Sequence, residues 1–433
     1  MILTHIFNSV RIIKITIGFI SVEFKILGVK NVKKWISLLI AVVLTMTVAV
    51  PAFATQHADN DYTLSTDGAV VLQNDADRNI TLQTEPVRNP IIPGESPTTG
   101  QAWVGFYLPM LAQYSNGVGT IKVNGKTVKA AGVGPRAPWG GQYADVVYEG
   151  ILYRTGATRL TFVFSDSLDE GYPTSFGPVR SARTGHVSLR QEWQGGIVFR
   201  GGPRREENNI AEMFAELGAS EAGVVFDLET NLTKGYSKRV KGLKNPENLS
   251  ANIVGLRGLI PTNYSSEPHA FLFADINPYT DGYDFAYQIN LDWGTETYIS
   301  HFVYDELENI YYRYSVDALW KSHVSEDDLD DEDAIPLTFS NVIVQRVEYT
   351  YTENSKIMPN MQSVGQGNAD IFIGGRYIPG YWVRESQDDP TVYYDDQGNE
   401  IQFTRGKTYI AQMPPDCLLT YTSTITLEAA LGN

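Results

Sequence analysis

Cysteine is nearly absent. Of 433 residues only Cys417 is a cysteine, so no intramolecular disulfide can form and burial has to hold the fold together. Histidine is scarce as well. Beyond residue 54 it occurs at His57, His186, His269, His301 and His323, with no two spaced three to five residues apart, which argues against a zinc site. The chain contains no G-x-S-x-G, S-x-x-K, H-E-x-x-H, P-loop or G-x-G-x-x-G motif. No common hydrolase, zincin or nucleotide-binding chemistry is therefore spelled out, and no cofactor or metal is called for.

Positive charge is the other deficit. Lys and Arg number 34 against 50 Asp and Glu, a net charge of −16. Six of the basic residues and only one acidic residue fall within residues 1–54, so the remainder carries 28 against 49, near −21. Such a charge repels nucleic-acid phosphates and anionic lipid surfaces and makes neither an expected partner.

What the N-terminus does have is a basic stretch, Lys30, Lys33 and Lys34, then an apolar run from Trp35 to Val50 and the sequence Pro51-Ala52-Phe53-Ala54. A basic region, an apolar segment and a small-x-small site make a signal peptide, with cleavage expected between Ala54 and Thr55. Left uncleaved, the run would serve as a membrane anchor; cleaved, it leaves no stable span. Met1 to Gly28 stand ahead of an already complete signal, and translation is expected to begin at Val29.

Residues 55–100, rich in Asp, Asn, Thr and Pro, read as a loosely ordered lead-in. Residues 101–265 read as a mixed α/β domain. Ala144–Arg154 and Thr158–Ser165 predict a hairpin around Thr155-Gly156-Ala157, and Ser181–Trp193 a helix. Gly196–Arg200 and Ala222–Leu228 predict strands, and Ile210, Met213, Phe214 and Leu217 repeat with helical spacing before Gly218. Leu249, Ile253 and Leu256 mark a further helical face. Residues 266–433 read as a β-rich domain, with tyrosine-rich runs broken by turns at Asp281-Gly282, Gly374-Gly375 and Gln397-Gly398. The expected class is thus α+β.

One segment runs against the acidic composition. Phe176-Gly177-Pro178-Val179-Arg180-Ser181-Ala182-Arg183-Thr184-Gly185-His186 gathers Arg180, Arg183 and His186, with Arg190 beyond. A helix starting near Ser181 would place Arg183, His186 and Arg190 on one face beside free backbone N–H groups, an arrangement suited to anions. Equally, these arginines could neutralise Asp145, Glu149, Asp166 or Glu192 and be purely structural. Asp145 and Glu149 share a strand face, yet four residues at ~3.3 Å put them about 13 Å apart, whereas paired glycosidase carboxylates lie roughly 5 to 9.5 Å apart. The acidic run Ser325–Asp333 lacks the glycine and ligand alternation of a calcium loop and reads as a solvated connection.

Pro135-Arg136-Ala137-Pro138-Trp139-Gly140, then Ala144-Asp145-Val146-Val147-Tyr148-Glu149, Thr158-Arg159 and Gly177-Pro178-Val179-Arg180-Ser181-Ala182-Arg183 resemble the YerB-like bacterial envelope lipoproteins. Asn341–Gln345 and Gly374–Trp382 resemble that family's second domain, so the likeness spans about Gly105 to Pro414. It implies a two-domain architecture and an envelope address, and no reaction. Two departures stand out. Thr55 follows Ala52-Phe53-Ala54 where family members carry a lipobox cysteine, and Glu247 occupies the histidine position of an R-x-A-P-H-N-L-Y pattern.

Three roles fit these residues. The leading one is a cell-envelope protein that binds an anionic wall-glycan or phosphate-bearing ligand against Arg136, Arg159, Arg180, Arg183 and His186, with Asp145 and Glu149 orienting the arginines. A second is an envelope hydrolase or transferase using Glu149 or Asp145 as acid or base. A third is a scaffold for an unidentified protein partner through the tyrosine-rich domain. Edman sequencing of the exported protein is expected to begin Thr-Gln-His, from Thr55; a start at Met1 would overturn both the cleavage and the initiation assignments.

Overall fold

The structure, a computed structural model, describes strands within residues 3–27, residues 69–72 and 92–93, and residues 102–423 apart from gaps at 154–155, 166–170, 206–207, 266, 268, 275, 331–332 and 352–358. The expected signal segment lies outside the described residues. Leu3–Phe7, Val10–Ile17 and Ile20–Leu27 form an antiparallel meander by themselves.

The remaining body is built on a ten-stranded sheet. Its strands are β1 (Met110–Tyr114), β2 (Val146–Ile151), β3 (Thr158–Phe164), β4 (Gly196–Phe199), β5 (Val225–Asp227), β6 (Asn341–Arg346), β7 (Gly365–Ile373), β8 (Arg376–Arg384), β9 (Val392–Asp395) and β10 (Thr408–Met413). The order across the sheet is β5-β4-β1-β3-β2-β10-β6-β7-β8-β9. The expected hairpin is present, with Ile151 opposite Thr158. β10, from the C-terminal end of the chain, lies parallel to both β2 and β6. One sheet therefore runs through both sequence halves and crosses the boundary expected near residue 265. A second, antiparallel sheet contains Gln288–Asp292, Ile299–Asp305, Ile310–Ser315 and Leu418–Thr422. Strand Val70–Leu72 of the expected lead-in pairs with Leu418–Thr422, and Ile92–Pro93 pairs with Val104–Gly105. These two short pieces of the lead-in are thus tied into sheets.

Helix is scarcer than the α+β expectation held. Among the described residues the α-helices are α1 (Thr184–Trp193), α2 (Ile210–Glu216) and α3 (Ile253–Arg257), and the fold is strand-rich throughout, including the C-terminal part. α1 begins three residues later than expected because Ser181 and Ala182 are still extended, and Arg183 is its N-cap. Val187, Leu189 and Trp193 bury its inner face, and Gln194 in the left-handed conformation ends it. α2 keeps the predicted face, with Phe214 stacked on Phe199 at 5.7 Å. Leu249 departs from the third predicted helix because Leu249–Ala251 pairs as a strand with Ser237–Arg239, leaving only the turn and a half of α3.

The two sequence halves are also joined by charge. Glu149 on β2 is 1% exposed and accepts hydrogen bonds from Thr158 (2.6 Å), Ser300 (3.2 Å) and Tyr409. The guanidinium of Arg313 lies 3.6 Å from the same carboxylate, donates to Ser300 at 2.9 Å and stacks 4.1 Å from the Trp320 ring centre. Burial works against the Arg313 charge, but Tyr409 and Glu149 outweigh it and hold the group above its ordinary pKa. A buried pair so completely hydrogen-bonded costs little to keep and much to break. Glu149→Ala is expected to lower the unfolding free energy by about 3–5 kcal/mol by stranding Arg313. The double variant Glu149→Leu, Arg313→Met should lose less, as read by urea denaturation.

Candidate functional site

Alternation along the Gly177–Arg183 segment sets up the site. The segment threads between β1 and Leu249–Ala251: Ser115 N–H donates to Pro178 O, Arg180 N–H to Gln113 O and Val179 N–H to Leu249 O. Gly177 permits the passage, since a Cβ there would fall 2.4 Å from the Trp139 ring and 2.6 Å from Leu249 O. Val179 and Ala182 are fully buried, which leaves Arg180 and Arg183 half-buried on the other side. Arg159 reaches the same place from β3, 4% exposed, and donates to Ser181 O at the entry to α1.

Arg159, Arg180 and Arg183 crowd one another without a counter-ion. Burial, then Arg183, then Arg180 depress the pKa of Arg159 well below its ordinary value, and burial chiefly lowers that of Arg183, against the pull of the Tyr153 hydroxyl bonded to it. Guanidinium does not deprotonate in proteins, so these depressions measure the cost of holding cations together. No carboxylate lies within ion-pair distance of any of the three, and the Nε of each is buried without a partner. The carboxylates that could have neutralised them are engaged elsewhere. Glu149 holds Arg313, and Glu192 meets Arg384 at 3.3 Å and His269 at 3.3 Å.

His186 completes the cluster as a neutral ring. Its Nδ1 accepts the Arg183 backbone N–H at 2.9 Å, capping α1, which requires the proton to sit on Nε2. Burial, Arg159 and Arg183 all push its pKa well below 6.5. Arg159, Arg183, Gly185 and His186 face Tyr349, Met361 and Gln412 across a narrow pocket with about 30 Å³ free, room for about two waters or a single carboxylate head. The N-terminus of α1 adds its positive dipole end to that pocket.

The other expected site residues fall outside it. Arg136 ion-pairs with Glu247, the residue at the family's histidine position. This pair stands beyond Tyr298, whose pKa is raised to about 12 by burial and Glu247 against the opposing pull of Arg159. Asp145 is buried just ahead of β2, at the end away from Gly150, the residue paired with Arg159. Glu149 orients Arg313 and none of the cluster arginines. Arg190 is turned into Gly195 O (2.9 Å) and the Tyr264 hydroxyl (2.7 Å). Tyr349, Met361 and Gln412 carry no signal in the sequence that would place them opposite Arg183, because their approach depends on where β10 enters the sheet.

Residues 131–264 match the model of the N-terminal domain of a protein family of unknown function, DUF3048, and residues 289–410 match that of its C-terminal domain. The chain belongs to the DUF3048 family. The crystal structure of YerB protein from Bacillus subtilis is similar to it, with a TM-score of 0.53 and 20% identity, over 72% of this chain and 93% of that one. At that identity the likeness speaks for the fold. No curated protein matches the chain. The YerB-like resemblance drawn from the arginine motif therefore stands, and in this DUF3048 chain the motif is the wall of the cationic pocket.

His186 sets a pH dependence whose sign follows from its lowered pKa. The unfolded chain takes up a proton near pH 6.5 and the folded one resists it, so the stability held above that value falls as pH drops through it. His301, pushed down to about 4 by burial and Arg313, acts in the same direction. The urea midpoint is expected to fall between about pH 7 and about pH 5. His186→Asn, which keeps an acceptor for the Arg183 N–H, should shrink that fall. Nitrogen-15 spectra of the wild type should show His186 as the neutral Nε2–H tautomer at neutral pH.

Proposed function

We propose that this protein works outside the cytoplasm, in the bacterial cell envelope, and binds an anionic group of an envelope ligand, carboxylate or phosphate, between Arg159, Arg180 and Arg183 at the N-terminus of α1. The observation that carries this reading is three crowded guanidiniums left without a carboxylate in a protein of net charge −16. Cations held at a cost in low dielectric are preorganised for an anion, because the ligand relieves a repulsion already present. The envelope address rests on Lys30–Ala54 and on the family resemblance. A hydrolase built on Glu149 is disfavoured, since that carboxylate is sealed among Thr158, Ser300, Tyr409 and Arg313.

Co-sedimentation of the exported protein with purified wall sacculi tests the reading. Arg180 and Arg183 are the residues to change, because both are half-buried while Arg159 is deeply packed. Each charge-assisted contact contributes about 1.5–3 kcal/mol, so Arg180→Ala with Arg183→Ala should weaken binding at least a hundredfold with the thermal midpoint close to wild type. A folded double variant that still sediments, or a wild type that never does, would transfer the case to the scaffold role.

A further inference from the structure

The arginine pocket is too small for anything but the head of a ligand. A second cavity, of about 600 Å³, shares two of its walls, Ile151 and Tyr349. The partition between them is fixed by hydrogen bonds: Ile151 N–H donates to the Tyr349 hydroxyl at 3.3 Å, and that hydroxyl donates to Gln412 O at 2.8 Å. Gly150 makes room for it, as a Cβ there would lie 3.2 Å from the hydroxyl oxygen.

The larger cavity has the opposite charge. Asp292, Glu348 and Asp416 line it, and none of them has an ion-pair partner among the described residues. They are not grouped closely enough to hold a metal ion together. Trp293, 1% exposed, stands in the same wall with its indole N–H unpartnered, and Tyr351 adds a second aromatic ring. An ammonium group suits carboxylates beside aromatic rings, and the free indole N–H suits a carbonyl or hydroxyl oxygen.

We infer that the ligand is an amphoteric molecule of peptide type, whose acid enters the arginine pocket while its amine and amide body occupy the adjoining acidic cavity. This rests on the anion-binding reading above and adds the ligand's second charge. Cys417, in the cavity wall, registers the excess of negative charge: burial, Asp416 and Asp292 push its thiol up to about 12. An anion alone would be repelled from this cavity, and a neutral sugar would leave its carboxylates unanswered.

The probe is the tripeptide Ala-Glu-Lys, titrated calorimetrically into the exported protein beside its form acetylated on both amines. The free peptide is expected to bind at least tenfold more tightly than the acetylated one. That advantage should vanish in the variant Asp292→Asn, Glu348→Gln, Asp416→Asn, whose fold should persist because these carboxylates hold nothing in place. Equal affinities for the two peptides in the wild type, or no binding of either, would overturn the inference. Sacculus binding that is lost with Arg180 and Arg183 would, in either of those cases, leave the anion-binding reading standing.

Discussion

Glu149 and Arg313 face each other inside the protein, and the rest of the architecture is arranged so that they can. An ion pair with both members 1% exposed survives only if every lone pair and N–H around it is answered. The answers come from far along the chain: Thr158 from the neighbouring strand, Ser300 from the second sheet, Tyr409 from β10. Holding those groups in place fixes β10 between β2 and β6 and brings the second sheet against the first. The two family domains are consequently parts of one sheet system rather than separate bodies on a linker.

That same pair frees the arginine cluster. With Glu149 committed to Arg313, and Glu192 to Arg384 and His269, the carboxylates closest in sequence to the Gly177–Arg183 segment have no reach to it. Val179 and Ala182 hold the segment in the core, so the guanidiniums cannot swing away to solvent or to the acidic surface. Positive charge is therefore trapped next to a helix N-terminus that is itself positive. His186 answers by staying neutral and capping the helix with a ring nitrogen.

Local pattern told a good deal. The β2–β3 hairpin, the helices around Leu189 and Phe214, and the strands of residues 269–403 follow from apolar spacing and turn residues, and the Gly-Pro-Val-Arg-Ser-Ala-Arg segment stood out by charge alone. Long-range partnership was invisible. Nothing near Glu149 points to a partner at 313 or 409, and its strand-face companion Asp145 suggested a shared carboxylate site that does not form. The start of α1 was misjudged because Ser181 and Ala182 have helical composition but are held extended by the bonds flanking them, Ala182 N–H to Gly201 O and Arg200 N–H to Arg180 O. The acidic cavity was hidden for a related reason: Asp292, Glu348 and Asp416 come from three distant stretches and meet only through the sheets.

The position of β10 also dictates an order of events at the ribosome. Until residues 408–413 emerge, β2 and β6 each present an unpaired edge, and Glu149 has neither its tyrosine nor a closed low-dielectric setting. Open edges of this kind recruit other strands. A nascent chain of this protein thus carries two adhesive seams through almost its whole synthesis, and the final sixth of the polypeptide acts as the key that closes both at once. For an exported protein this is an advantage: a sheet that cannot close before the last strand arrives stays unfolded long enough to be threaded across a membrane.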